Sequence, residues 1–323
     1  MKTNRRPTPR FDMYRRAVAS LSESSDLRLD ANETALFARQ LEDIDAELYR
    51  VEYPEHRGRI IVPVKTNISE GAEEYTYRAM NQAGQSKVIA NYSTDLPRVD
   101  VQGLEVTQKL FGHGASYGYS IQDLRRSRMS GLPFDRERAI TARFVVDQKN
   151  DKIIAHGESS VGVTGFWNST LVSLVVPATG SWATASAEEI ADDLFLMERT
   201  IMTDSSMVEV PDTVVLPPTL FGLASTKRLA NTEATALEFF LRKSLAVKNA
   251  EWWHEGELAD AAGTGPRIAM GKRDPRKVCA LLPLEFHQMP PEQRGLGFVI
   301  NCDSRAGGVI FRYPKSWRYM DDC

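Results

Sequence analysis

The chain has 323 residues, 42% hydrophobic and 26% charged, with a formal net charge of -3. That composition suits a soluble globular protein with one large core or two medium ones, and it excludes a disordered or fibrous chain. The charge makes no global case for wrapping nucleic acid, and no window approaches about 18 uncharged apolar residues, so no membrane partner is expected. Cys279, Cys302 and Cys323 are far apart and odd in number, which gives neither a disulfide framework nor a zinc site.

Residues 1 to about 30 carry Lys2, Arg5, Arg6, Arg10, Arg15 and Arg16 against Asp12 alone. This reads as a solvated basic terminus, with contact to nucleic acid as the lesser reading. The opening MKTNRRPTPRFDMYRR lacks an apolar run behind its charges, so synthesis and residence in a cytoplasm are expected. Phe37, Leu41, Ile44 and Leu48 then fall at helical spacing after Asn32 as N-cap, and Tyr53 and Pro54 end that helix. Arg59–Val64 reads as a short strand.

Glu70–Arg98 reads as a two-stranded ribbon. Tyr75, Tyr77 and Ala79 share one face, Asn81–Gly84 supply the turn, and Val88, Ala90 and Tyr92 alternate on the return. Such a ribbon is marginal in water alone, and six or so apolar side chains cannot offset the entropy of ordering it. It needs something to lie on, either a neighbouring subunit or its own domain. Val106–Phe111 is expected as a strand and Tyr119–Met129 as a short helix. A long helix from Asp135 ends at Gly157, with Ile140, Phe144, Asp147, Asp151 and Ile154 on one face and Ala139, Val146 and Ile153 beside them. Beyond Trp167 strands and helices alternate: helices at Ser186–Thr203 and Thr232–Val247, strands at Thr213–Leu216, Val278–Leu284, Phe298–Cys302 and Ala306–Tyr313. The fold class is α+β.

Among chemical motifs, Gly114-Ala115-Ser116-Tyr117-Gly118 matches the nucleophile elbow of serine hydrolases, with His156, His254 and His287 downstream as bases. Chance accounts for it better, because no parallel sheet precedes it. Arg294–Val299 imitates an RNA-binding signature with Leu296 and Asn301 at stacking positions, and reads as a strand after a Gly turn. Gly265–Arg273 departs from a phosphate loop through its spacing, Pro266 and Arg273. The five histidines, His56, His113, His156, His254 and His287, show no metal-ligand spacing, so neither a metal nor a cofactor is expected. Glu73 and Glu74 point to opposite faces of a strand and cannot share a proton. Trp252 and Trp253 read as packing.

The residues also resemble a known family. ARQLEDID from Ala38, the Y-P-x-x-x-G-R pattern at Tyr53–Arg59, DLPRVDV from Asp95, YGYSIQDLR from Tyr117 and CDSRAGGVIFRYP from Cys302 are similar to major capsid proteins of tailed phages and prophages with the Hong Kong 97-type fold. The resemblance implies an N-terminal arm at 1–58, an extended loop at 59–103 and a peripheral domain at 104–165 with the long helix as its spine. It further implies an axial domain at 166–285 and a C-terminal return at 286–323. It implies a non-enzymatic subunit that forms the pentamers and hexamers of an icosahedral shell around double-stranded DNA, assembled in a bacterial cytoplasm and residing in the virion. Glu73, Tyr75, Tyr77, Arg78, Lys87 and Tyr92 would be the inter-subunit contacts. A scaffolding protein, a portal and a maturation protease would be partners, the scaffold a separate protein because the unstructured terminus is short. Lys65 and Lys87, with Asn67, Asn81 and Asn91, read as ordinary surface rather than crosslinking residues. An encapsulin-like compartment holding protein cargo is the alternative on the same fold.

Overall fold

The computed structural model describes residues 53–83, 87, 98–130, 134–260, 263 and 265–321. The chain divides into two compact units, Met1–Pro54 and Glu55–Cys323, and every element below belongs to the second. The basic terminus and the helix expected around Phe37–Leu48 lie outside the described residues.

Gly58–Ile61 forms a one-turn helix, α1, where a strand is expected from the sequence. The cause is tertiary. The Gly58 N–H donates to the buried Asp151 Oδ1 at 2.7 Å, while Ile61 and Val62 sink into the core. After β1 (Val64–Lys65), the chain enters an antiparallel ribbon of β2 (Glu74–Ala83) and β3 (Asp100–Lys109), with Glu74 opposite Lys109 and Ala83 opposite Asp100. β3 is thus the strand that pairs with β2, and the return strand expected at Val88–Tyr92 lies outside the described residues. Asn81–Ala83 prolong β2 instead of turning.

Only Leu110 separates β3 from β4 (Phe111–Ser120), and α2 (Ile121–Ser130) follows directly. Ser120 and Asp123 cap α2 reciprocally, each backbone N–H donating to the other's side chain at 3.3 and 3.0 Å. The long helix is α3 (Phe134–His156), 23 residues and so about 34 Å. Its buried stripe is Ala142, Val146, Asn150, Ile153 and Ile154, whereas Ile140 is exposed. Asn150 is fully buried and satisfied: its Oδ1 is 2.9 Å from His113 Nε2, and its Nδ2 donates to Ser304 Oγ at 3.1 Å. Burial holds the His113 imidazole below its ordinary pKa. Gly157 ends α3 with a φ of 71°, and a Cβ there would collide with the Val163 carbonyl as β5 (Gly157–Glu158) pairs with β6 (Val163–Thr164).

The remaining elements are β7 (Ser173–Val175), α4 (Ala187–Asp204), β8 (Thr213–Leu216), α5 (Pro218–Thr226), α6 (Ala236–Lys243), β9 (Asn249–Trp252), β10 (Ile268–Gly271), β11 (Val278–Leu281), β12 (Leu284–Gln288), β13 (Glu292–Arg294), β14 (Gly297–Ala306), β15 (Val309–Phe311) and β16 (Trp317–Met320). A five-stranded sheet in the order β7-β16-β10-β8-β9 is covered on both sides. Val215, Ala269, Trp317 and Tyr319 face one core with Phe166, Trp167 and Trp253; Val214, Leu216, Ile268, Met270 and Met320 face the other with α4, α5 and α6. Two-sided burial explains why β8, β10 and β16 show no polar alternation. Helix α4 begins with the expected capping box of Ser186 and Glu189. Buried Asp193 accepts from Ala178 N–H, Thr179 Oγ1 and Trp182 Nε1 at 2.9, 2.6 and 3.0 Å, which ties the loop before α4 to the helix. A second sheet orders β1-β11-β15. In a third, β14 pairs with β4 on one side and with β12 and β13 on the other.

Arg267 and Asp321 form a buried bidentate pair at 2.6 and 2.7 Å, and Arg267 also donates to the Trp167 carbonyl. Asp321→Ala leaves that guanidinium buried without its carboxylate. We expect a loss of about 3–5 kcal/mol in urea unfolding of the unassembled subunit. Arg78→Ala, at an exposed pair with Glu105, should cost less than about 1 kcal/mol in the same experiment.

Candidate assembly surfaces

At the root of the ribbon, β2 turns Tyr75 and Tyr77 inward. They are half-buried against Leu110, Cys279, Leu281 and Ile310. Tyr75 Oη accepts from Lys65 Nζ at 2.8 Å and from an Arg312 guanidinium nitrogen at 3.3 Å. Burial raises the Tyr75 phenol, but these two cationic donors outweigh it and bring its pKa below the ordinary value. Tyr77, with Arg312 5.9 Å above its ring, is instead raised by burial. Burial likewise pushes up the Cys279 thiol beneath them. Arg305 donates to the Glu70 and Ala72 carbonyls, Gln108 Nε2 to the Gly307 carbonyl at 3.1 Å, and Leu110 N–H to the Glu73 carbonyl at 2.7 Å.

Outward from the root, cover runs out. Period-two geometry puts Leu104 on the face that continues from the tyrosines, opposite Ala79, and Met80 and Val101 on the other face. Met80 is 73% exposed, Leu104 63% and Val101 56%. Thr76 with Thr107 and Arg78 with Glu105 make cross-strand pairs at 2.9 and 2.7 Å. Of the residues expected to touch a neighbour, Tyr75 and Tyr77 thus contact their own body. Glu73, Arg78 and Lys87 are exposed, and Tyr92 lies outside the described residues. Sequence reasoning missed Lys65, Arg305 and Arg312 as root residues, although the last two lie in the CDSRAGGVIFRYP segment.

Ser116 sits in mid-strand in β4, opposite Asn301 of β14. A nucleophile elbow needs a strand-to-helix turn, so the G-x-S-x-G match carries no such geometry. Gly295 and Gly297 belong to the β13–β14 turn, and Gly265–Arg273 contains strand β10. Trp253 is fully buried, as expected, while Trp252 lies under the Arg57 guanidinium at 4.1 Å.

Folding also brings together histidines that are dispersed in sequence. Glu255 lies between two imidazoles, Oε2 3.1 Å from His156 Nε2 and Oε1 3.4 Å from His254 Nε2. Those hydrogen bonds hold its carboxyl well below the usual carboxylate range, and the one from Glu255 raises His254. Asp151 is adjacent, raised by burial and partly offset by the Gly58 N–H. The contact joins positions 99 apart, which leaves no local spacing to read.

The model of a family described as "Major capsid protein" matches residues 84–323. No curated protein matches the chain. Among solved structures, the capsid of Myoviridae phage XM1 is similar at a TM-score of 0.79 and 14% identity, covering 90% of this chain and 99% of that one. Mycobacterium phage Ogopogo follows at 0.60 and 10%, covering 90% and 100%. The capsid of a native GTA particle matches at 0.58 and 13%, covering 91% and 99%. With the family matched over most of its length and a phage-capsid fold throughout the described body, this chain belongs to the major capsid protein family and has the Hong Kong 97-like α+β fold.

Proposed function

We propose that the chain assembles as pentamers and hexamers of an icosahedral head enclosing double-stranded DNA, with the outer half of the β2–β3 ribbon lying across a neighbouring copy. One observation carries this reading: Met80, Val101 and Leu104 expose apolar surface on both faces of a ribbon whose root is fixed to its own body. Tyr75 and Tyr77 serve as the anchor, and Arg78, Lys87 and Tyr92, with Glu73 at the root, as contacts to the neighbour. The segments around α3 and around the five-stranded sheet take the peripheral and axial roles. A separate scaffolding protein, a portal and a maturation protease complete assembly in the bacterial cytoplasm, and the product is the virion capsid. For the contents, Arg125, Arg126 and Arg128 on α2 and Arg136 and Arg143 in the first half of α3 are exposed, Arg126 and Arg143 beside Asp123 and Asp147, and together they fit non-specific phosphate contact within a chain of net charge -3.

Replacing Ala79–Leu104 by Asn-Gly joins Arg78 to Glu105 through a two-residue hairpin turn and keeps the anchored root. Electron microscopy of the variant, expressed with its neighbouring genes, should show a folded subunit and no closed shells. Closed shells of normal form would overturn the ribbon's role, and protein cargo in place of DNA in wild-type particles would favour the encapsulin-like reading.

Leu104→Asp should leave subunit stability within about 0.5 kcal/mol, because the side chain is exposed before assembly, while sharply reducing particle yield by sedimentation. For DNA, Arg125→Glu with Arg128→Glu should weaken duplex binding and flatten its salt dependence by about 0.9 in log–log slope for each phosphate no longer neutralised. An unchanged slope would remove this face from the DNA interface.

A further inference from the structure

We propose that Asp151, His254 and Glu255 form a binding site for a divalent transition-metal ion of the zinc, cobalt or nickel type. One ligand atom from each of the three lies within 4.8 Å of the others. In a tetrahedral site with bonds of about 2.1 Å the donors stand about 3.4 Å apart, so closure needs the widest separation to contract by up to roughly 1.4 Å, through side-chain torsions.

Two further features point to a ligand. His254 Nε2 faces Glu255 Oε1 at 3.4 Å, and its Nδ1 is buried with no hydrogen-bond partner among the described residues. The outer partners that usually orient metal ligands are already in place: the Gly58 N–H on Asp151 Oδ1 at 2.7 Å and His156 Nε2 on Glu255 Oε2 at 3.1 Å. An imidazole among the donors favours zinc-type ions over magnesium or calcium, which prefer oxygen alone. Three protein ligands leave a fourth position for water, and the His254 side chain, 32% exposed, leaves an approach from solvent. The ion would join α3, the turn after β9 and, through Gly58, the segment that leads into α1. The inference rests on this geometry and not on the shell reading.

The test uses the full-length subunit, stripped with chelator and exchanged into metal-free buffer. Zinc titration by calorimetry should give one equivalent that magnesium does not displace, and cobalt should give visible d–d bands. Zinc in excess should raise the melting temperature. His254→Ala and the near-isosteric Glu255→Gln should each weaken binding at least tenfold, with folding checked by circular dichroism. His287→Ala, at a separate exposed pair with Asp303, should leave binding unchanged. Absence of zinc binding, or binding equally tight in both His254→Ala and Glu255→Gln, overturns the proposal; the second result places the ion on thiols or other imidazoles.

Discussion

A two-stranded ribbon has two faces, and the body of this protein covers only the root half of one of them. From Tyr75 to Tyr77 the inner face is packed and hydrogen-bonded; farther out, Leu104 on that face and Met80 and Val101 on the other stand exposed. Ladder hydrogen bonds alone leave such a ribbon marginal. Its outer end therefore presents apolar surface that its own body leaves uncovered, and the fixed end determines where that surface is offered. In a family of shell-forming subunits, this division between anchored root and exposed outer half gives the fold its mechanical character.

The root is fixed to something stiff. β3 passes into β4 through Leu110 alone, which is buried and bonds to Glu73 on the opposite side of the ribbon. β4 is then paired along its full length with β14, from Phe111 opposite Ala306 to Ser120 opposite Gly297. β14 in turn meets α3 through Ser304 and the buried Asn150. A force on the ribbon reaches α3 through backbone ladders and one satisfied polar cluster, without crossing a loop. The buried Arg267–Asp321 pair plays a comparable fixing role at the five-stranded sheet, with the Trp167 carbonyl completing the guanidinium's bonding.

Much of this was legible in the sequence, and the failures have physical causes. The ribbon's existence, its first strand and its need for cover follow from alternation and sparse apolar content. Its turn does not: Asn81–Ala83 continue β2 opposite β3, and alternation records a face, not a partner. Gly58–Ile61 folds as a helical turn because Asp151, far along the chain, captures the Gly58 N–H. Strands β10 and β16 escaped notice because two-sided burial erases the polar half of the pattern. Helix α6 is shorter than its apolar run because Thr235 caps it at one end and Ser244 at the other. The Glu255 junction was invisible, since its partners meet only after the chain has folded.

The chemistry of the root also fixes how it responds to solution conditions. Arg305 donates to two backbone carbonyls, Gln108 to a third, and Lys65 and Arg312 converge on a phenol. Carbonyl acceptors have no proton to gain in acid, and a hydrogen bond to a neutral oxygen loses less to salt than a pair of opposite charges. Added salt therefore acts first on exposed charge pairs such as Arg78–Glu105, out on the ribbon. The root is thus held by bonds to neutral oxygens, while the ion pair farther out on the ribbon lies exposed to solvent.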